Sequence, residues 1–296
     1  LGLPDAALNE SRDRVRSAIV NSNLKWVNRR TTVSLSPAWL PKSGSGFDLA
    51  IAVALLGASG NLNSANLDST ILIGELGLDG EIKSTRGILP ALISAKKLEI
   101  KRAIIPKANI QECKLLTDIE VIPVANLTAV IDYLMTGDFE AIEFVDDSKS
   151  YICPDMSDVL GQSSARRLIE ISAIGGHNVL LIGPPGTGKT MLAQRLPSLL
   201  PKLHINDALE VAAIHSIAGI NQRELGSIYT PPYIAPHHSA TAVAMIGGGT
   251  NSIRPGAVSL AHKGILFIDE AHMMNGAGSG GNNANDLANM MKPALS

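Results

Sequence analysis

The stretch GPPGTGKT, residues 183–190, satisfies the pattern G-x-x-x-x-G-K-[ST] at every fixed position, and its reading decides how the rest of the chain is understood. The apolar run at 178–182 predicts a buried strand entering this loop, and residues 191–200 predict the helix that leaves it. Strand, loop and helix in that order make a phosphate cradle. Glycines let backbone N–H groups curl around anionic oxygens, and the N-terminus of the helix adds its positive end. Gly183, Pro184, Pro185, Gly186, Thr187, Gly188, Lys189 and Thr190 are therefore the candidate nucleotide-binding residues. Lys189 is expected to reach the β and γ phosphates of ATP, and the Thr190 hydroxyl to ligate Mg2+.

Hydrolysis needs a second element, and GILFIDE at 264–270 supplies a candidate. It reads as an apolar strand ending in two carboxylates. Asp269 is placed to hold the magnesium ion, and Glu270 to orient and deprotonate the attacking water.

The bulk properties exclude several classes. At 296 residues the chain is long enough for two cores, and its net charge of -2 gives no global basic field. The two cysteines, Cys113 and Cys153, have no CxxC spacing, so neither a disulfide framework nor a zinc site is suggested. The longest apolar run, at 49–58, is well short of the ~20 residues that span a bilayer. A cytoplasmic protein with no membrane partner is expected. The chain starts with Leu1, and nothing there resembles a signal peptide.

Taken in order, residues 5–21 carry apolar positions at helical spacing, 31–35 alternates like a strand, and the turn KSGSG at 42–46 leads into an apolar helix at 47–57. Strands are predicted at 71–75, 103–105 and 120–123, with helices at 87–97 and 127–135 and another helix before 120. The acidic, polar stretch at 138–158 reads as a linker between a domain at 1–137 and one at 159–296. A helix at 164–174 precedes the phosphate loop. Helix alternating with buried strand indicates an α/β fold with a parallel sheet in the second domain.

Several further segments carry a resemblance. GLPDAALNESRDRVRSAI, SGSGFDLAIA, GELGLDGEI followed by RGILPA, GQSSARRLIEISAIGGHNVLL, EVAAIHSIAG, APHHSATAVAMIGGG and RPGAVSLAHKGILFIDE occur in that order. Together they resemble the magnesium-chelatase-like ATPases associated with competence, the ComM/YifB group. The resemblance implies a domain similar to the Lon protease domain, ribosomal S5-like in fold, followed by a P-loop AAA+ three-layer αβα module. It also implies an ATP hydrolase that works as a homo-hexamer on single-stranded or branched DNA, in branch migration or helicase action. By the same resemblance Gly161 and Gln162 lie near the adenine. A protein-remodelling ATPase and a metal-insertion ATPase are the alternative readings.

A peptidase is not expected. Lon-type chemistry pairs a serine nucleophile with a lysine base. Here the matching positions hold Gly46 and Ala91, and Ser43, Ser45, Lys96 and Lys97 are displaced from them. Between the phosphate loop and the acidic pair, Arg223, His237, His238 and Arg254 are candidates for contact with a DNA backbone. The adjacent histidines are expected on opposite faces of an extended segment, which disfavours a shared metal.

After Glu270 the chain departs from the family pattern. AHMMNGAGSGGNNANDLANMMKPALS resembles the segment that follows the acidic strand in the first ATPase domain of Clp/Hsp100 disaggregases. A chimera, an assembly error in the underlying DNA and a natural variant all stay open as its origin. Residues 276–283 are expected to be mobile and 286–292 to form a short helix. The first strands of the Lon-like domain are expected before Leu1, and the sensor, arginine finger and lid beyond Ser296. Both domains are thus expected to be incomplete in this chain, with ATP hydrolysis and assembly impaired.

Overall fold

The computed structural model describes residues 3–4, 6–26, 30–37, 39, 41–42, 44–60, 62, 67–139, 154–220, 227–249 and 253–270. The chain divides into two compact units, Leu1–Val145 and Asp146–Ser296.

In the first unit, β1 (Leu3–Pro4) pairs in parallel with β2 (Pro41–Lys42), and α1 (Ala6–Asn21) lies between them in sequence. There follow α2 (Asp48–Ala58), β3 (Thr70–Leu72), the hairpin of β4 (Glu75–Leu76) and β5 (Ile82–Lys83), and α3 (Ile88–Lys97). Then come β6 (Arg102–Pro106), a 3-10 helix at Lys107–Cys113 where a helix was expected, β7 (Glu120–Val124) and α4 (Leu127–Thr136). Strands β3, β6 and β7 form a parallel sheet with β6 in the centre.

The period-two pleat of β6 divides the core. Ile104 faces one side, where Ile122 and Val124 of β7 join Val15 and Ile19 of α1, Leu49, Val53 and Leu56 of α2 and Leu134 of α4. Ala103 and Ile105 face the other side and pack with Ile88, Leu92 and Ala95 of α3. Burying both faces of a parallel strand requires an apolar run, which is why residues 103–105 were legible as a strand. Helix α4 is bounded by its own sequence. The Asn126 side chain accepts from the Ala129 N–H at 2.9 Å, and Gly137 closes the other end at φ 81.

A charged group stands in this core: Asp48 is fully buried at the start of α2. Its carboxylate accepts from the Arg14 Nε at 2.8 Å and from the buried Ser11 hydroxyl, and the Leu76 N–H lies at 3.4 Å. A buried carboxylate is stable only when paired and hydrogen-bonded, and this one ties α1, α2 and β4 together.

Two strand expectations in this unit are corrected. Residues 31–35 are irregular, with Val33 packed against the core while Thr31 and Thr32 are exposed. A period-two pattern reports one-sided burial, and a packed extended loop meets it as well as a ladder does. The strand expected at 71–75 is split at Gly74, whose N–H donates to the Gly46 carbonyl and whose carbonyl accepts from Leu49 N–H. A Cβ there would stand 2.8 Å from Ile82 Cγ2, so any side chain at this position must push Ile82 aside.

In the second unit the acidic stretch expected as linker ends in packed structure. Residues 140–153 lie outside the described residues, but a 3-10 turn at Met156–Asp158, capped by Asp155, buries Met156. Met156 and Val159 join Ile169 of α5 (Ser163–Gly175) and Leu192 of α6 (Lys189–Arg195) in one cluster. The helix expected at 191–200 passes into 3-10 geometry at Leu196–Leu199, because Pro197 cannot donate to an α-helical ladder.

Next come α7 (Ile205–Ala218), β8 (Tyr233–Ile234), α8 (Ala242–Ile246), β9 (Gly247–Gly248), β10 (Arg254–Pro255), α9 (Ala257–Leu260) and β11 (Ile265–Leu266). Strands β9 and β10 pair antiparallel, and β8 and β11 pair in parallel. The apolar run at 178–182 is not the buried strand expected of it. It is irregular, with Leu180 76% and Ile182 88% exposed. An apolar run is buried as a strand only where neighbouring strands and helices cover it, and the parallel pair in this unit is formed by β8 and β11 instead.

Candidate functional site

Residues 183–187 are exposed and 188–189 half-buried, between the irregular segment 178–182 and α6. Gly186 and Gly188 sit at φ 79 and 81, a left-handed conformation that L side chains rarely adopt. The loop is closed by its own groups. Lys189 Nζ donates to the carbonyls of Gly183 and Pro184, each at 2.9 Å, and Thr187 Oγ1 donates to Pro184 O at 2.9 Å. From outside the loop, Gln162 Nε2 donates to the Thr187 carbonyl at 3.2 Å.

This arrangement fits a polyphosphate. The lysine ammonium is bracketed by two neutral carbonyls, acceptors that an anionic oxygen outcompetes because charge-assisted hydrogen bonds are about twice as strong. Thr190 is exposed in the first turn of α6, leaving its hydroxyl open to a hard cation. Gly161, at φ 72, adjoins Gln162 just before α5, so both adenine candidates stand at the start of that helix.

The acidic pair follows the last described strand. Beyond β11, Phe267 N–H donates to Ile234 O at 2.8 Å, and the chain then turns. Asp269 and Glu270 are exposed, Glu270 has φ 50, and its N–H donates to Asp269 Oδ1 at 3.0 Å. Among the described residues no hydrogen bond or ion pair joins Asp269 or Glu270 to residues 183–190. The same residues contain no cluster of three potential metal-ligating His, Cys, Asp or Glu side chains. The Thr190 hydroxyl and the Asp269 carboxylate are both exposed oxygen donors, the ligand type a magnesium ion takes.

The chain that leads into β11 is fixed by contacts the sequence reading missed. His215 of α7 bonds the Leu260 carbonyl of α9 at 2.9 Å, Glu210 meets His262 at 3.1 Å, and Asp207 meets Lys263 at 3.1 Å. The Asp207 carboxylate raises the Lys263 ammonium above its ordinary value, while burial lowers His215. Asp207 and Glu210 share a face of α7, and that spacing opposite a His-Lys pair was the available signal.

The histidine expectation is overturned. His237 and His238 do not point to opposite faces; their ring centroids lie 4.0 Å apart and the planes are tilted by 36°. The reason is local: the segment turns here, with Ala240 N–H bonded to His237 O and Ser239 Oγ 2.7 Å from His237 Nδ1. Arg254 is exposed on β10, and Arg223 lies outside the described residues.

At the positions where Lon-type chemistry needs its serine and lysine stand Gly46 and Ala91. Ser45 Oγ donates to Glu75, Lys96 pairs with Asp118, and the buried Lys42 bonds the Pro37 carbonyl. Ser43 lies outside the described residues.

Two family models match the chain. One, described as magnesium chelatase, subunit ChlI, covers residues 155–277; the other, subunit ChlI of Mg-chelatase, covers 1–109. The competence protein ComM of Haemophilus influenzae is 40% identical over 277 residues, which is 91% of this chain and 54% of that protein. The uncharacterized protein YifB of Escherichia coli is 43% identical over 272 residues, 91% of this chain and 53% of that protein. The chain belongs to the ComM/YifB family. An archaeal Lon protease from Halobacterium salinarum is 39% identical over 67 residues, 22% of this chain and 10% of the protease.

As a ComM/YifB chain it is an α/β protein with a Lon-like first unit and a second unit of the AAA+ ATPase class. The chain spans about half the length of the curated relatives it matches. No helix among the described residues is long and apolar enough to cross a membrane.

Proposed function

We propose that the second unit binds ATP with Mg2+ at residues 183–190, and that the whole protein uses its hydrolysis to move DNA. The observation that carries the nucleotide reading is the Lys189 ammonium held between the carbonyls of Gly183 and Pro184, inside a loop bent by left-handed Gly186 and Gly188. Lys189 neutralises phosphate charge, and the loop amides donate to phosphate oxygens. Thr190 and Asp269 hold the metal, which supplies Lewis-acid neutralisation of the phosphates when bound. Glu270 orients the attacking water and takes its proton on the carboxylate. Gly161 and Gln162 flank the base.

The DNA reading is supported by kinship with a relative whose name is competence protein ComM. The Lon-like unit serves as scaffold or DNA contact in this reading, since Gly46 and Ala91 stand at the peptidase positions and the nearby Ser45 and Lys96 are engaged by Glu75 and Asp118. A homo-hexamer is the expected working form. A second reading, a metal-insertion ATPase, is favoured by the chelatase description that both family models carry.

Titration with a fluorescent Mg-ADP analogue tests the nucleotide site. Saturable binding that Lys189→Ala abolishes is expected, and equal binding by both proteins would refute the assignment. For the full-length protein, ATP turnover stimulated by single-stranded or branched DNA supports the motor. Stimulation only by a metal-porphyrin partner system, with none by DNA, would move the conclusion to the second reading.

A further inference from the structure

The geometry points to Gln162 as a positioning residue that sets the conformation of the phosphate loop from outside it. This rests on the nucleotide reading above and assigns its side chain a role distinct from contact with the base. Gln162 is the N-cap of α5 with a left-handed backbone, φ 49 and ψ 38, and its carbonyl accepts from Arg166 N–H at 2.9 Å. L side chains rarely adopt that conformation, and the helix start that it makes aims the side chain at the loop.

Two observations place that side chain on one peptide group. Its Nε2 donates to the Thr187 carbonyl at 3.2 Å, and a Cβ on Gly188 would lie 2.9 Å from the same nitrogen. The Gln162 amide therefore rests against the Thr187–Gly188 peptide. Below this contact Ile169 of α5 and Leu192 of α6 share a buried cluster with Met156 and Val159, so both ends are mounted on packed structure.

A trans peptide carries its carbonyl and the following N–H on opposite sides. Holding the Thr187 carbonyl toward Gln162 fixes the Gly188 N–H on the other side, committed as a phosphate donor before any ligand arrives. The contacts inside the loop restrain Lys189 and the Thr187 hydroxyl but not this plane. Without the amide donor, the plane has to be ordered at the moment of binding, and affinity falls for the phosphates rather than for the base.

The test compares wild type with Gln162→Met, which keeps the length and removes the donor, using Mg-ADP and Mg-tripolyphosphate as separate probes. Loss of one hydrogen bond's worth of preorganisation predicts affinity about five- to tenfold weaker for both probes. Faster amide exchange across residues 187–189 in the free protein is expected too, with the melting temperature unchanged. If Gln162→Met binds tripolyphosphate as tightly as wild type does, the proposal is overturned, whether ADP affinity is kept or lost. Failure of wild type to bind either probe would instead remove the nucleotide reading, and this one with it.

Discussion

His215 on α7 donates from Nε2 to the Leu260 carbonyl on α9 at 2.9 Å, with the imidazole 2% exposed. A carbonyl only accepts, so the neutral ring carries its proton on Nε2, and acidification must add a second proton at Nδ1 inside the packed unit. Burial accordingly holds His215 below the ordinary histidine value. The unfolded chain binds that proton first, near pH 6.5. Stability from this residue is complete above that pH and is lost as pH falls toward the lowered folded value. The melting temperature of the second unit is expected to drop between pH 7 and 5.5, and His215→Gln to flatten that slope. An unchanged slope in the variant would mean other groups carry it.

Asp48 supplies a stability prediction for the first unit. Asp48→Ala leaves the Arg14 guanidinium and Ser11 hydroxyl without their buried partner, and breaking such a pair costs about 3–5 kcal/mol. Urea denaturation should show the first unit unfolding at much lower midpoint. A loss under about 1 kcal/mol would identify Asp48 as solvated in the folded state.

Gly264 has no room for a side chain, since an added Cβ would stand 2.2 Å from the Pro232 carbonyl oxygen. Gly264→Ala must push β11 from β8, at about 1–3 kcal/mol, and displace the carboxylates that follow. Thermal unfolding of the second unit and ATP turnover by the full-length protein should fall together. Wild-type values for both would show that the β8–β11 pair does not position Asp269 and Glu270.

Glu270→Gln keeps the shape of the side chain and removes its capacity to accept a proton. Turnover by the full-length protein is expected to fall by about 10²–10⁴-fold with Mg-ATP affinity retained. Turnover within a factor of two of wild type would assign the base elsewhere.

The glycine-bent turn at 183–190 was legible because its glycines and lysine are read within eight consecutive positions, and α1, α2 and α4 because their apolar spacing is set by their own backbone. Central β6 was legible for a related reason, since both of its faces are buried. What failed depends on neighbours. Residues 178–182 are as apolar as β6, yet nothing in their own sequence says whether a ladder covers them. The His237–His238 contact follows from a turn at Ser239, and the Gln162–Thr187 bond joins segments that no local pattern connects. The α7 contacts with Leu260, His262 and Lys263 are likewise tertiary, although charge spacing on α7 hinted at two of them.

The order β3-β6-β7 also has a kinetic consequence. Thr70 meets Arg102 across a longer stretch of chain than the one separating Arg102 from Glu120, and β6 aligns with β7 over five residue pairs but with β3 over three. Loop-closure entropy grows only slowly with length, yet both comparisons run the same way. Pairing of β6 with β7 is therefore expected to be the earlier event as the first unit assembles, with β3 adding to an edge that is already built. A core truncation at Ile122 should slow refolding, whereas one at Ile71 should chiefly hasten unfolding.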